Sequence, residues 1–168
     1  MRALALLCVV WVGLLAITTY HRAQVWQSDL TLWRDAAARS PRKPRPFINL
    51  GLAHEQLSGN LPAAFQAQQT ALALAVQPRL SLYQQRFSRI ASLTNIARLL
   101  AVTGQEAAAE RVLDDLVAQY PLFPHSRYNR GVLYVKTGRC AAGLRDLRIA
   151  IQLDSGLGAG QPLPVCGE

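Results

Sequence analysis

Acidic residues, histidine and cysteine are all scarce in this chain of 168 residues, with ten Asp and Glu, three His and three Cys. His21, His54 and His125 are scattered, without His-x-x-x-His or His-Glu spacing, and no Cys-x-x-Cys pair is present. Zinc needs nitrogen and sulfur ligands grouped in such patterns, so no metal site is expected. The carboxylates are dispersed as well. Asp114 and Asp115 are neighbours, which on a helix point in different directions, and they read as solvated charges rather than an acid–base pair. Gly156-Leu157-Gly158-Ala159-Gly160 follows a helical segment and leads into none, which excludes a phosphate loop. No cofactor is expected, and the chain reads as a non-enzyme.

Strand-forming residues are thinly spread too. Ala and Leu supply much of the apolar content, which favours helices over sheet. Against the scarcity of acids stand 18 Lys and Arg, for a net charge of +8. Only Arg42, Lys43 and Arg45 cluster, and Pro41, Pro44 and Pro46 interrupt them. A nucleic-acid surface would need a denser basic stripe with stacking aromatics, so nucleic acid is not an expected partner. A solvated basic linker beside an anionic membrane fits better.

Ala3 to Thr19 carries no charge and is bounded by Arg2 and by His21-Arg22. At about 1.5 Å per residue it is just long enough to cross a hydrocarbon core. Tyr20 stands where an interfacial ring would. A cleaved signal peptide is the rival, but no good small-x-small cleavage site follows. Cys8 lies inside this segment as a small hydrophobe. Cys140 and Cys166 lie outside it and permit one disulfide in an oxidising compartment, or two unpaired thiols. Arg22, Arg34 and Arg39 after the segment lean towards a cytoplasmic C-terminus. A disulfide points the other way.

Self-similarity organises the rest. Asn95 and Asn129, Ala97 and Gly131, Gly104 and Gly138, and Ala109 and Gly143 are each 34 residues apart. That is the tetratricopeptide period. The small residues fall where two antiparallel helices must approach closely, and Gly104 and Gly138 end the first helix of each pair. Pro121 closes a second helix. Asn49-Leu50-Gly51, Ser58-Gly59 and Ala64 form an earlier, less strict copy running to Pro78. Before it, Ser28 and Asp29 can cap a helix with Leu30, Trp33, Ala36 and Ala37 on one face. Asn49 and Asn95 are 46 apart, 12 more than the period. No Gly or Pro interrupts Arg79 to Thr103, and Leu80, Tyr83, Phe87, Ile90, Thr94, Ala97 and Ala101 share helical spacing, which predicts one lengthened helix with those residues on its packed face. The last helix is expected from about Cys140 to Asp154.

Thr19-Tyr20-His21-Arg22, Val25-Trp26, Leu32-Trp33-Arg34-Asp35, Ser40-Pro41 and Asn49-Leu50-Gly51 add a further signal. Over residues 10–78 the chain resembles the junction between the last membrane helix and the first repeats of transmembrane-and-tetratricopeptide O-mannosyltransferase-like proteins. The resemblance implies repeats facing the lumen or periplasm. It carries over no sugar-transfer activity, because the family's chemistry belongs to a multi-helix membrane region that has no counterpart in these residues.

The resulting expectation is an all-α chain: a single N-terminal transmembrane helix followed by a short tetratricopeptide solenoid of about three helix-turn-helix repeats. Its segments are a membrane anchor (1–22), a capping helix and basic proline-rich linker (23–46), the repeats (47–155) and an irregular tail (156–168). Asn49, Asn95 and Asn129 recur in each first helix, where an amide can both give and accept a bond with a peptide backbone. Arg98, His125, Tyr128 and Lys136 would add a basic, partly aromatic lining. These residues are the expected partner-binding set, and Cys140 with Cys166 the possible disulfide. The expected role is a scaffold or accessory subunit binding a protein partner, membrane complex or extended peptide. Its place is a bacterial inner membrane as a single-pass protein, held through residues 3–19, with periplasmic repeats. The alternative is a detached repeat tail of a polytopic glycosyltransferase that serves substrate recognition.

Overall fold

The computed structural model describes residues 2–157. Eight helices and no strands occur among them: α1 Arg2–Gln24, α2 Asp29–Arg39, α3 Pro44–Ser58, α4 Leu61–Leu74, α5 Leu82–Val102, α6 Glu106–Gln119, α7 Pro124–Lys136 and α8 Cys140–Leu153. The all-α expectation is met. The tail beyond residue 157, including Cys166, lies outside the described residues.

Local chemistry sets the helix ends. Ser28 accepts from the Thr31 amide while the Thr31 hydroxyl takes the Ser28 N–H, and this reciprocal cap starts α2. Ser81 and Gln84 do the same for α5. Gly104 and Gly138 sit at φ +80° and Gly59 at +61°, a left-handed conformation that costs glycine no Cβ clash. Pro44 and Pro124 each open a helix, where the missing N–H would have had no partner. This divides the segment expected as a proline-rich linker up to residue 46. Pro44 and Pro46 are buried in the first turn of α3, and only residues 40–43 connect α2 to it.

From α3 onward the helices pack as hairpins, α3 with α4, α5 with α6 and α7 with α8. The intervals are set by small residues. A Cβ on Gly131 would stand 2.9 Å from the Gly143 carbonyl, and one on Gly143 would stand 2.7 Å from the Gly131 carbonyl. Those two helices can therefore meet only as glycine on glycine. In the preceding hairpin Ala97 and Ala109 are both fully buried and join Leu113 and Leu133 in the core. Consecutive hairpins touch through α4–α5 and α6–α7, and also through α3–α5 and α5–α7. The corresponding contacts between α4, α6 and α8 are marginal or absent.

The lengthened helix is present as one element of 21 residues, Leu82–Val102. Its packed face is shorter than its spacing suggested. Ile90, Thr94 and Ala97 are buried, but Tyr83 is 75% exposed and Phe87 45% exposed. Counted in repeat register, Ile90 stands where Pro124 begins α7, 34 residues later. Of the α5 residues before Ile90 only Ser88 is buried, and the first turn projects past the end of the neighbouring hairpins.

α1 is 23 residues long, its most apolar 18-residue window has a mean hydropathy of 2.2, and none of that window is buried against the rest of the chain. By length and composition it could cross a membrane. Leu4, Leu7, Val10, Trp11 and Leu14 are all exposed on it.

Candidate functional site

Each first helix of a hairpin places its asparagine two residues before the small residue at the close approach: Asn49 before Gly51, Asn95 before Ala97, Asn129 before Gly131. Two residues on a helix turn the side chain by about 200°. The asparagines therefore lie on the face of α3, α5 and α7 opposite α4, α6 and α8. All three are half-buried, and among the described residues none of their amides has a hydrogen-bond partner in the protein. Three neighbouring helices thus present unspent amide donors and acceptors on one surface.

The other expected lining residues divide. His125 is exposed one turn before Asn129, and its ring lies 5.7 Å from that of Phe123. Tyr128 is half-buried. Arg98 is already committed, because its guanidinium pairs with Glu55 of α3 and ties the first two hairpins together. Lys136 lies 3.3 Å from Glu106 and donates to the Ala101 carbonyl, linking α7 to the preceding hairpin. The basic lining therefore consists largely of ion pairs between repeats. Cys140 is disulfide-bonded and Cys8 is a free thiol. The expected partner, Cys166, lies outside the described residues.

A second polar cluster escaped the sequence reading. Asp146 of α8 is 5% exposed, not solvated. It accepts from Arg130 Nε at 2.6 Å and from Arg127 Nη1 at 3.0 Å. Arg130 also donates to Asp114 of α6 at 2.9 Å, and the Tyr134 hydroxyl donates to the same carboxylate at 3.1 Å. Arg139 lies 4.1 Å from the Tyr134 ring centre and pairs with Glu110 at 2.8 Å. Hydrogen bonding to Asp146 raises the Arg130 pKa further above its usual value. Burial, with the Asp114 bond next, pushes the Tyr134 phenol up. The Arg139 hydrogen bond pulls Glu110 below the ordinary carboxylate range. Every charge in the cluster has a counter-charge. Its chemistry is that of a clamp across α6, α7 and α8 rather than of proton transfer.

Among the described residues no group of three or more His, Cys, Asp or Glu side chains could hold a metal ion. Compared with known proteins, the chain matches no family model and no curated protein, so the resemblance of residues 10–78 rests on its own residues alone.

Proposed function

We propose that this chain is a membrane-anchored scaffold or accessory subunit of the tetratricopeptide type, binding a protein partner across α3, α5 and α7. The observation that carries the reading is the set of unpartnered amides of Asn49, Asn95 and Asn129 at equivalent places on three adjoining helices. An amide can give one bond and accept one from an extended backbone, so three in series suit a peptide strand of loose sequence preference. The contacts among α3, α5 and α7, without matching ones on the other side, favour a stack curved towards that face. The exposed, apolar α1 supports an anchor. The Cys140 disulfide supports an oxidising compartment, hence repeats outside the cytoplasm of a bacterial inner membrane. In this reading the chain performs no catalysis.

The test compares wild type with an Asn95→Ala/Asn129→Ala double variant in affinity isolation from detergent-solubilised membranes. Circular dichroism confirms that the helices are retained. The reading expects a stoichiometric protein partner with wild type and its loss with the variant. Equal recovery by both would remove the asparagine face as the binding surface.

A further inference from the structure

The first turns of α5 form a surface that the repeat packing does not use. Leu82 is 71% exposed and Tyr83 75%, and Leu122 in the α6–α7 loop is 78% exposed. The Tyr83 ring stacks on Phe87 at 6.2 Å, and Phe87 meets Phe123 edge-on at 6.3 Å. These contacts put the start of α5 and the α6–α7 loop at one end of the stack. The α2–α3 loop is at that end too, since Arg79 donates to the Arg42 carbonyl.

The charge that α3, α4 and the start of α5 bring to this rim has one sign. Between residues 41 and 105 the sole acidic residue is Glu55, already paired with Arg98. Arg42, Lys43, Arg45, Arg79, Arg86 and Arg89 are all exposed, and none meets an acidic partner among the described residues. Aromatic and aliphatic tips ringed by unpaired cations match the level of lipid headgroups in an anionic leaflet.

The chain path bends between α1 and α2. Were α2 to continue the line of α1, thirteen residues of helix would separate Arg22 from Asp35 by about 20 Å. Instead Arg22 Nη1 lies 2.7 Å from Asp35 Oδ2, so α2 turns away from the line of α1.

We propose that this end of the stack is a second membrane contact. Leu82, Tyr83, Phe87 and Leu122 sit at headgroup level on an anionic bilayer, with the unpaired cations around them on lipid phosphates. The α5 extension is the device that supplies it. The proposal rests on the reading of α1 as an anchor. It fixes the tilt of the repeats, so the asparagine face opens sideways along the membrane rather than onto it.

The test uses the full chain in phosphatidylcholine–phosphatidylglycerol vesicles. A spin label on p-acetylphenylalanine is introduced in turn at positions 15, 56, 83 and 122, which leaves the cysteines untouched. Collision with oxygen against a water-soluble nickel complex reports lipid or water at each site. The expected result is lipid-like labels at 15, 83 and 122 and a water-like label at 56, at the other end of α3. Arg79→Gln/Arg86→Gln should shift the 83 label towards water by roughly thirtyfold in the docked-to-free ratio. Labels at 83 and 122 in water while 15 is in lipid would overturn the proposal and leave the anchor intact. A water-like label at 15 would overturn the anchor and the proposal together. Shielding at 83 that grows with the protein-to-lipid ratio would mean a second copy covers the patch, which also overturns it.

Discussion

Replacing Asp146 by alanine should loosen the C-terminal half of the stack more than any other single change of charge. Its carboxylate holds Arg130 through two nitrogens, at 2.6 and 3.1 Å, and Arg127 at 3.0 Å. The side chains are 7%, 18% and 15% exposed. Without Asp146, Arg130 keeps Asp114 and the face of the Tyr134 ring, while Arg127 keeps a 3.4 Å contact to the Pro121 carbonyl and already has a buried Nε with no partner. Stranding one partner of a fully buried pair costs about 3–5 kcal/mol. The retained Asp114 bond and residual exposure reduce this to about 2–3 kcal/mol here. In a domain of this size that corresponds to a melting shift of roughly 10 °C. Asp146→Asn keeps the shape and one acceptor and should fall midway. Glu106→Gln, at a pair whose side chains are 55% and 41% exposed, should cost less than about 0.5 kcal/mol. Urea unfolding of the detergent-solubilised chain by circular dichroism checks the order, and amide exchange checks that α7 and α8 open first. An Asp146→Ala variant as stable as Glu106→Gln would refute the clamp.

Gly143→Ala should destabilise by about 1–2 kcal/mol, since overpacking outweighs the helix propensity that alanine normally adds. The new Cβ would meet the Gly131 carbonyl at 2.7 Å and the Val135 amide at 2.9 Å, both backbone, and a thermal melt reads the result. Glu110 predicts a pH dependence. The Arg139 hydrogen bond holds its folded pKa below the value of an unfolded glutamate, so the stability it adds is complete above that unfolded value. That stability is lost as pH falls through the folded value, and Glu110→Gln should flatten this acid limb in a pH series of melts. Ser28→Ala removes the reciprocal cap of α2 and should cost about 1 kcal/mol, visible as faster amide exchange at Leu30 and Thr31.

Much of the fold was legible because local rules and packing rules agree in it. Gly104 and Gly138 mark turns, and Gly131 and Gly143 mark close approaches. Each such role depends on one residue type at one place, so a period survives in the sequence. Where the reading failed, partners came from elsewhere. Asp146 reads as one more surface acid until Arg127 and Arg130, 19 and 16 residues earlier, fold over it. Tyr83 and Phe87 have the spacing of a core face, but periodicity cannot tell that the neighbouring hairpins end before reaching them. Pro44 and Pro46 read as breakers because three prolines in six residues suggest a linker. Proline in a first turn is instead pre-organised for a helix. Of the candidate site, the asparagines were visible as repeats, whereas the pairing of Arg98 and Lys136 needed the distance between hairpins.

The most direct test of a partner-binding face is a photocrosslinker placed at position 95 or 129 in intact membranes, with position 111 on the exposed side of α6 as control. The account predicts a discrete protein adduct from 95 and from 129 and none from 111. Adducts from 111 alone, or none from any of the three, would contradict it.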